Sequence, residues 1–308
     1  MTPPNITVAI CTRNRARMLD GAIESLLRQS ISPNAYEILI VDNNSIDQTE
    51  QISAQWMTRT SGLVRYTQQP VPGLSASRNH AIERAYGSIL AFIDDDARPV
   101  PDLLTHIKNC FEQDAKCVGV GGSIVLSWLS SRPSWLRKQE EYFYAAHDLG
   151  SEARLMRFPE FAMGTNMAFQ TSALKHIGGF PTNFGYNSAA GTILPNEELF
   201  VSYSLHQTGS HMWYLPQARV QHLIDNERAS VDWFLRRAGA QGTADARLVK
   251  SFRRYGVLRL NLTLWLRRVA LERARLRLRL CRQTGDTPTK VLFNVKLRYN
   301  QGFLDEWR

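Results

Sequence analysis

The apolar run Ser88-Ile89-Leu90-Ala91-Phe92-Ile93 ends abruptly in Asp94-Asp95-Asp96. A short unbroken apolar run suits a strand buried on both faces of a parallel sheet. Three consecutive carboxylates repel one another and are costly at a buried strand end unless positive charge sits beside them. A hard divalent cation bridging phosphates would supply that charge, because Mg²⁺ and Mn²⁺ take one or two carboxylates plus substrate oxygens. A solvated acidic turn is the plain alternative, and the run alone does not separate the two.

The neighbouring segments place this run in an α/β fold. Strand patterns at Ile6–Cys11, Tyr36–Val41, Leu63–Tyr66, Ser88–Ile93 and Val118–Leu126 alternate with helix patterns at Met18–Arg28, Asp47–Thr58, Ser75–Tyr86 and Pro101–Glu112. That alternation builds a mostly parallel central sheet with crossover helices. Ligands of such sheets collect outside the carboxyl ends of the strands. Three polar clusters fall there: Thr12-Arg13-Asn14-Arg15, Asp42-Asn43-Asn44 and Asp94-Asp95-Asp96. Gly119, Gly121 and Gly122 read as sites of close packing in the later strand.

Beyond residue 126 the pattern changes. Residues 127–163 suggest a loop and short helices, with Trp128, Trp135 and the Tyr142-Phe143-Tyr144 cluster. Gly164-Thr165-Asn166-Met167, Gly178-Gly179-Phe180 and the stretch Gly185–Gly191 read as flexible loops, where substrate contacts are often placed. A helix is expected over Glu197–Gln207, ending at Gly209. Short strands are expected at Met212–Leu215 and Ala218–His222. The expected organisation is 1–125 and 126–246 as two halves of one domain, then a basic extension over 247–308.

The chain has 308 residues, 44% hydrophobic and 21% charged, an ordinary globular composition. No apolar run approaches the ~20 residues needed to span a bilayer, and the N-terminus carries no signal-peptide pattern. The four cysteines show no CxxC pair and no zinc spacing, so reduced thiols in a cytoplasmic protein are expected. The turn after the first strand lacks a glycine fingerprint, and neither GxxxxGK[ST] nor GxSxG occurs. The formal charge of +9 is uneven: between Arg247 and Arg282 stand twelve Lys or Arg and one acid, Glu272.

Four motifs in order resemble the family 2 glycosyltransferases of the GT-A fold. They are Val8–Arg15, Ile38–Asp47, Gly73–Asn79 and Phe92–Asp96, and Gly164–Phe169, Gly178–Phe180 and Asn196–Leu199 continue the likeness over about residues 6–225. The resemblance implies a GT-A α/β/α sandwich and an inverting transfer from a nucleotide-diphosphate sugar, UDP-linked donors being favoured, to a hydroxyl of a glycan or lipid-linked acceptor. It also implies Mn²⁺ or Mg²⁺ as cofactor and work in polysaccharide or cell-envelope assembly.

Site residues follow from the same likeness. Asp42 suits the N3–H of uracil, with capping of its own turn as the alternative. Thr12 and Arg78 suit the base and ribose, with Arg13 beside them in the donor-binding set, although Arg78 could instead pair with Glu83. Asp94 and Asp95 are expected at the ribose and loop, and Asp96 at the metal. Within Glu197-Glu198, which opens a helix, the second acid is the expected base, assisted by the first; macrodipole stabilisation is the structural alternative. The family carries Asp more often at the second position. His222 is a second metal ligand by the same likeness, or a structural histidine. Trp135, Trp213 and Tyr142–Tyr144 could stack on sugars, or pack the core.

The leucine-rich tail alternates with a strand period from Leu258 to Leu266, yet its length and its Leu, Arg and Ala content favour helix. Its basic segment 247–282 suits peripheral contact with an anionic membrane, on the inner face of the cell membrane, or a solvated helical face; nucleic acid is not expected. A nucleotidyltransferase and a non-catalytic nucleotide- or glycan-binding relative are the alternative functions.

Overall fold

The structure, a computed structural model, describes residues 4–187, 191–251, 257–281 and 287–307. Its elements run β1 (Ile6–Thr12), α1 (Ala16–Leu27), β2 (Tyr36–Asp42), α2 (Thr49–Arg59), β3 (Val64–Gln68), α3 (Leu74–Arg84) and β4 (Ile89–Ile93). They continue with β5 (Ala97–Pro99), α4 (Leu103–Gln113), β6 (Cys117–Trp128), β7 (Arg154–Leu155), β8 (Asn166–Gln170) and α5 (Thr171–His176). The rest are β9 (Gly185–Asn187), β10 (Thr192–Leu194), α6 (Glu197–Gln207), β11 (His211–Ile224), α7 (Val231–Ser251), α8 (Val257–Cys281) and α9 (Thr287–Asp305). The chain forms two compact units.

The first unit takes residues 1–127, 145–191 and 197–223. Its mixed sheet has the order β3-β2-β1-β4-β8-β6-β11-β5, with β7 paired to β11. β3, β2, β1 and β4 are mutually parallel, the half that the strand-helix alternation foretold. Alternate residues of each strand feed opposite layers. Ile6, Val8 and Ile10 of β1 pack with Leu19, Ile23 and Leu26 of α1. Ala9 of β1, with Leu39 and Val41 of β2, joins Ala81 and Ile82 of α3 on the other face.

Register then fixes the edge. Thr12 is paired with Asp42, and β4 lies beside β1 with Ala9 opposite Phe92. The carboxyl ends of β1, β2 and β4 therefore open on one side of the sheet. The glycines of β6 let its neighbours approach: a Cβ on Gly122 would lie 1.8 Å from the Ala218 carbonyl oxygen, and one on Gly119 3.0 Å from the Phe169 ring.

Two sequence expectations are corrected here. The expected loop at Gly164–Met167 gives way at Asn166 to a strand, β8, antiparallel to both β4 and β6. Asn166 opens it not as a turn residue but as a buried anchor, donating through Nδ2 to the carbonyls of Ala218 at 2.7 Å and Ser123 at 3.2 Å. The two short strands expected at Met212–Leu215 and Ala218–His222 are one continuous strand, β11. Pro216 lacks an N–H, yet its carbonyl still accepts from Ser123 Oγ at 2.8 Å, so the strand runs through it.

The second unit takes residues 128–144, 192–196 and 224–308. The tail is helical, as its composition favoured, with α7 and α8 each packed on α9. Residues 252–256 and 282–286 of that tail lie outside the described residues, as do 188–190 of the glycine-rich stretch. Glycines set the closest approach of α7 and α9. A Cβ on Gly242 would meet the Tyr299 carbonyl oxygen at 2.0 Å, and one on Gly302 the Gly239 carbonyl oxygen at 2.2 Å. The aromatic residues pack here: Trp135 lies 5.2 Å from Phe234, and Tyr144 stacks on Trp233 at 4.9 Å. In the first unit, Trp213 Nε1 donates to Asp114 Oδ2 at 2.8 Å.

Candidate active site

The acidic run lies where β4 leaves the sheet, and each of its carboxylates has its own partner. Asp94 accepts from Thr165 Oγ1 at 2.7 Å. Asp95 accepts from Thr12 Oγ1 at 2.7 Å, which ties the end of β4 to the end of β1. Arg15, at the start of α1, spans the other two: Nη1 is 3.1 Å from Asp95 Oδ1 and Nη2 is 2.7 Å from Asp96 Oδ2. Asp95 and Asp96 are 3% and 1% exposed. The solvated-turn alternative is thereby removed.

Burial pushes the Asp95 carboxyl up to about 7, with Arg15 working against it and Asp96 adding to the rise. Arg15 is itself held above its ordinary value: burial opposes its charge, and the carboxylates of Asp95 and Asp96 outweigh burial. The run thus does need positive charge, and in the protein alone Arg15 supplies it.

His222 faces the run from β11. The pairing of β11 with β5 sets His222 opposite Ala97, and the Leu223 amide donates to the Asp96 carbonyl at 2.8 Å. His222 Nε2 consequently lies 3.2 Å from Asp96 Oδ1, with both side chains buried. One hard carboxylate oxygen beside one imidazole nitrogen suits Mn²⁺ or Mg²⁺ that completes its shell with diphosphate oxygens. Among the described residues no three His, Cys, Asp or Glu side chains are grouped to hold a metal by themselves.

Asp42 is buried at the end of β2 and serves its own turn: Oδ1 accepts the Ser45 amide at 2.8 Å. Its Oδ2 accepts from Tyr66 Oη at 2.9 Å, and burial with this bond raises the tyrosine pKa. A carboxylate has about four lone-pair sites, so these two bonds leave capacity for a further donor. Beside Thr12, Arg13 carries two buried guanidinium nitrogens, Nε and Nη1, that find no hydrogen-bond partner among the described residues. Buried donors of this kind normally mark a place for water or a ligand.

The second cluster centres on Arg78 in α3. Its Nη1 donates to Glu197 Oε1 at 2.9 Å and lies 3.4 Å from Glu198 Oε1. The alternative surface pairing of Arg78 with Glu83 is set aside: Arg78 is 2% exposed and points to the start of α6. Burial disfavours its charge, but Glu198, Glu197 and Asp94 outweigh burial and its pKa is raised. The two acids differ. The side chain of Glu197 is 3% exposed and that of Glu198 is 15% exposed, so Glu198 is the one open to a second molecule.

Two adjacent residues join the clusters. Thr165 holds Asp94, and Gly164 leaves room for the ion pair: a Cβ there would lie 2.3 Å from both Arg78 Nη2 and Glu198 Oε1. Arg15 and Gly164-Thr165 stand inside sequence motifs that attach no role to them. The signal was available for Arg15, a cation within a polar strand end facing three carboxylates. For Gly164 and Thr165 the apparent loop hid it.

The chain is similar to known glycosyltransferases in sequence and in fold. The family model described as Glycosyl transferase family 2 matches residues 7–178. The glucosyl-dolichyl phosphate glucuronosyltransferase of Haloferax volcanii is 26% identical over 239 residues, 77% of this chain and 75% of that protein. The Haloferax volcanii glycosyltransferase AglE is 35% identical over 98 residues, 32% of each chain. Among solved structures, the mannosyltransferase PcManGT from Pyrobaculum calidifontis, in complex with GDP-Man and Mn²⁺, superposes with a TM-score of 0.66 at 18% identity, over 99% of this chain and 87% of that one. GalNAc-T7 with UDP, GalNAc and Mn²⁺ gives a TM-score of 0.57 at 17% identity, over 72% of this chain and 43% of that one. These two likenesses concern the fold.

Proposed function

Because the chain belongs to glycosyl transferase family 2, a nucleotide-sugar-dependent glycosyltransferase family, we propose that it inverts configuration as it moves a sugar from a nucleoside-diphosphate donor to an acceptor hydroxyl. The observation that carries this reading is the juxtaposition made by Gly164-Thr165, with the acidic run on one side and the Arg78–Glu197–Glu198 cluster on the other. In this reading the residues for metal and diphosphate and the residue for the base lie on either side of that turn.

The donor's base and ribose are assigned to Asp42, Thr12 and Asp95, and its phosphates to the unsatisfied donors of Arg13. Uracil is the base tested first, since Asp42 retains acceptor capacity for an N3–H. Asp94, fixed by Thr165, shapes the ribose side of the loop. Asp96 and His222 are the residues that would hold Mn²⁺ or Mg²⁺, and such a cation supplies Lewis-acid stabilisation of charge on the departing diphosphate.

Glu198 is the general base. An acceptor hydroxyl is a poor nucleophile until its proton is taken during attack. The hydroxyl proton passes to a Glu198 carboxylate oxygen, the acceptor oxygen bonds the anomeric carbon, and the bond from that carbon to the diphosphate breaks. Glu197 assists by holding Arg78, and Arg78 orients both acids.

A lipid-linked sugar is the acceptor class favoured, because the Haloferax volcanii relative is named for a dolichyl phosphate-linked glucose and matches over three-quarters of its length. Polysaccharide or cell-envelope assembly is the corresponding setting. The test is nucleoside diphosphate release from a panel of UDP- and GDP-sugars with Mn²⁺ or Mg²⁺, using a short-chain lipid-phosphate glycoside as acceptor. Transfer with inverted product configuration is expected. Pyrophosphate release would instead show a nucleotidyltransferase, and donor binding without turnover a non-catalytic relative.

A further inference from the structure

Among the described residues, helix α8 presents an exposed apolar stripe. Leu262, Trp265, Leu266 and Leu276 are 52–58% exposed, and Val269 lies on the line between them. Their spacing of three, four and seven residues sets them on one helical face. The opposite face is occupied. Leu271 and Ala274 are buried there, and the Arg267 guanidinium lies 4.8 Å from the Tyr299 and Phe303 rings of α9. The stripe is therefore not the packing face of the helix.

Charge selects what the stripe meets. Between Leu262 and Leu278 there are five arginines and one glutamate. Arg275 bonds Glu272 at 2.5 Å, while Arg268, Arg273 and Arg277 are exposed on or beside the apolar line. Trp265, Arg268, Val269, Glu272, Arg273 and Leu276 line a shallow surface groove. Among the described residues no helix is long and apolar enough to cross a membrane.

We propose that α8 lies on an anionic lipid surface, with Leu262, Trp265, Leu266, Val269 and Leu276 entering the headgroup boundary and Arg268, Arg273 and Arg277 meeting lipid phosphates. Apolar side chains ringed by arginine are the composition that holds an interfacial helix, and tryptophan suits a boundary that is apolar on one side and wet on the other. A second copy of the chain fits less well, since self-complementary pairing would bring these arginines against their own equivalents. Nucleic acid would satisfy the arginines but leave the Leu and Trp stripe against a polar groove.

The experiment is sedimentation of the full chain with vesicles of phosphatidylglycerol mixed into phosphatidylcholine, against phosphatidylcholine alone, at low and high salt. Binding to the anionic vesicles that weakens with salt is expected. The triple variant R268Q/R273Q/R277Q should weaken it on the order of a hundredfold. W265S/L266S should weaken it about tenfold or more. Both variants alter exposed side chains, and unchanged far-ultraviolet circular dichroism checks their fold. Absence of binding at low salt, binding that neither variant weakens, retention on duplex DNA without vesicle binding, or a vesicle-free dimer that W265S/L266S dissolves would each overturn the proposal. No sugar donor enters the assay, so its failure leaves the catalytic reading standing, and failure of transfer leaves this one standing.

Discussion

Arginine does opposite work in the two units. In the first, Arg78 is buried among Glu197 and Glu198, and Arg15 closes on Asp95 and Asp96. Arg78 sets the shape of a site because a buried charge survives only when paired and hydrogen-bonded, and Arg15, itself half-buried, closes over two buried carboxylates. On α8, Arg268, Arg273 and Arg277 stand exposed beside leucine and tryptophan. Their charge is directed outward, and water already solvates it. The residue type is shared; burial decides whether it organises the protein or addresses another surface.

That difference is breakable, and the largest effect falls on Arg78. Arg78→Leu leaves two carboxylates at the start of α6 without their cation, and should cost roughly 3–5 kcal/mol in urea unfolding. Arg78→Lys should recover part of this, since it restores charge without the planar fork.

His147 sharpens the contrast from within the first unit, as a buried group that burial keeps neutral. It is 7% exposed, and burial pushes its pKa from 6.5 down to about 4. The folded state therefore binds fewer protons than the unfolded state between those values. Its contribution is complete above pH 6.5 and is lost as pH falls towards 4, on the order of 3 kcal/mol in all. Urea melts across this range should show that slope in the native protein and a flatter one in His147→Gln.

Gly164→Ala tests how tightly the first unit's cation is set. The added Cβ would sit 2.3 Å from both Arg78 Nη2 and Glu198 Oε1, so Arg78 or α6 must shift. A loss of about 1–3 kcal/mol in stability is expected, with slower transfer at little change in donor binding. The smallest effect belongs to α8: R268Q/R273Q/R277Q should alter unfolding free energy by no more than about 0.5 kcal/mol, the range of ordinary surface changes. A loss as large as that of Arg78→Leu would mean that the two sets of arginines do the same structural work.

The same contrast explains what the sequence made legible. β1, β2 and β4 announce themselves because strands buried on both faces read as continuous apolar runs with polar residues at their ends. Helix α6 was bounded correctly by its opening acids and by Gly209. What stayed hidden was pairing across distance. Arg78 meets Glu197 over 119 residues, and no local spacing carries that information. β8 was hidden by Asn166, a turn-former by habit that here bonds two strand carbonyls. The family likeness divides the acidic run into Asp96 for a cation and Asp94 and Asp95 for the donor. The structure adds Arg15, which bridges Asp95 and Asp96.

Removal of the acceptor proton by Glu198, held by Arg78, is the step on which the proposed transfer rests. It is tested by comparing Glu198→Gln with the native chain for nucleoside diphosphate release from its sugar donor, with donor binding and thermal unfolding measured on the same samples. Donor affinity and Tm should stay close to native while release falls by at least about a hundredfold. Native turnover in Glu198→Gln would contradict it.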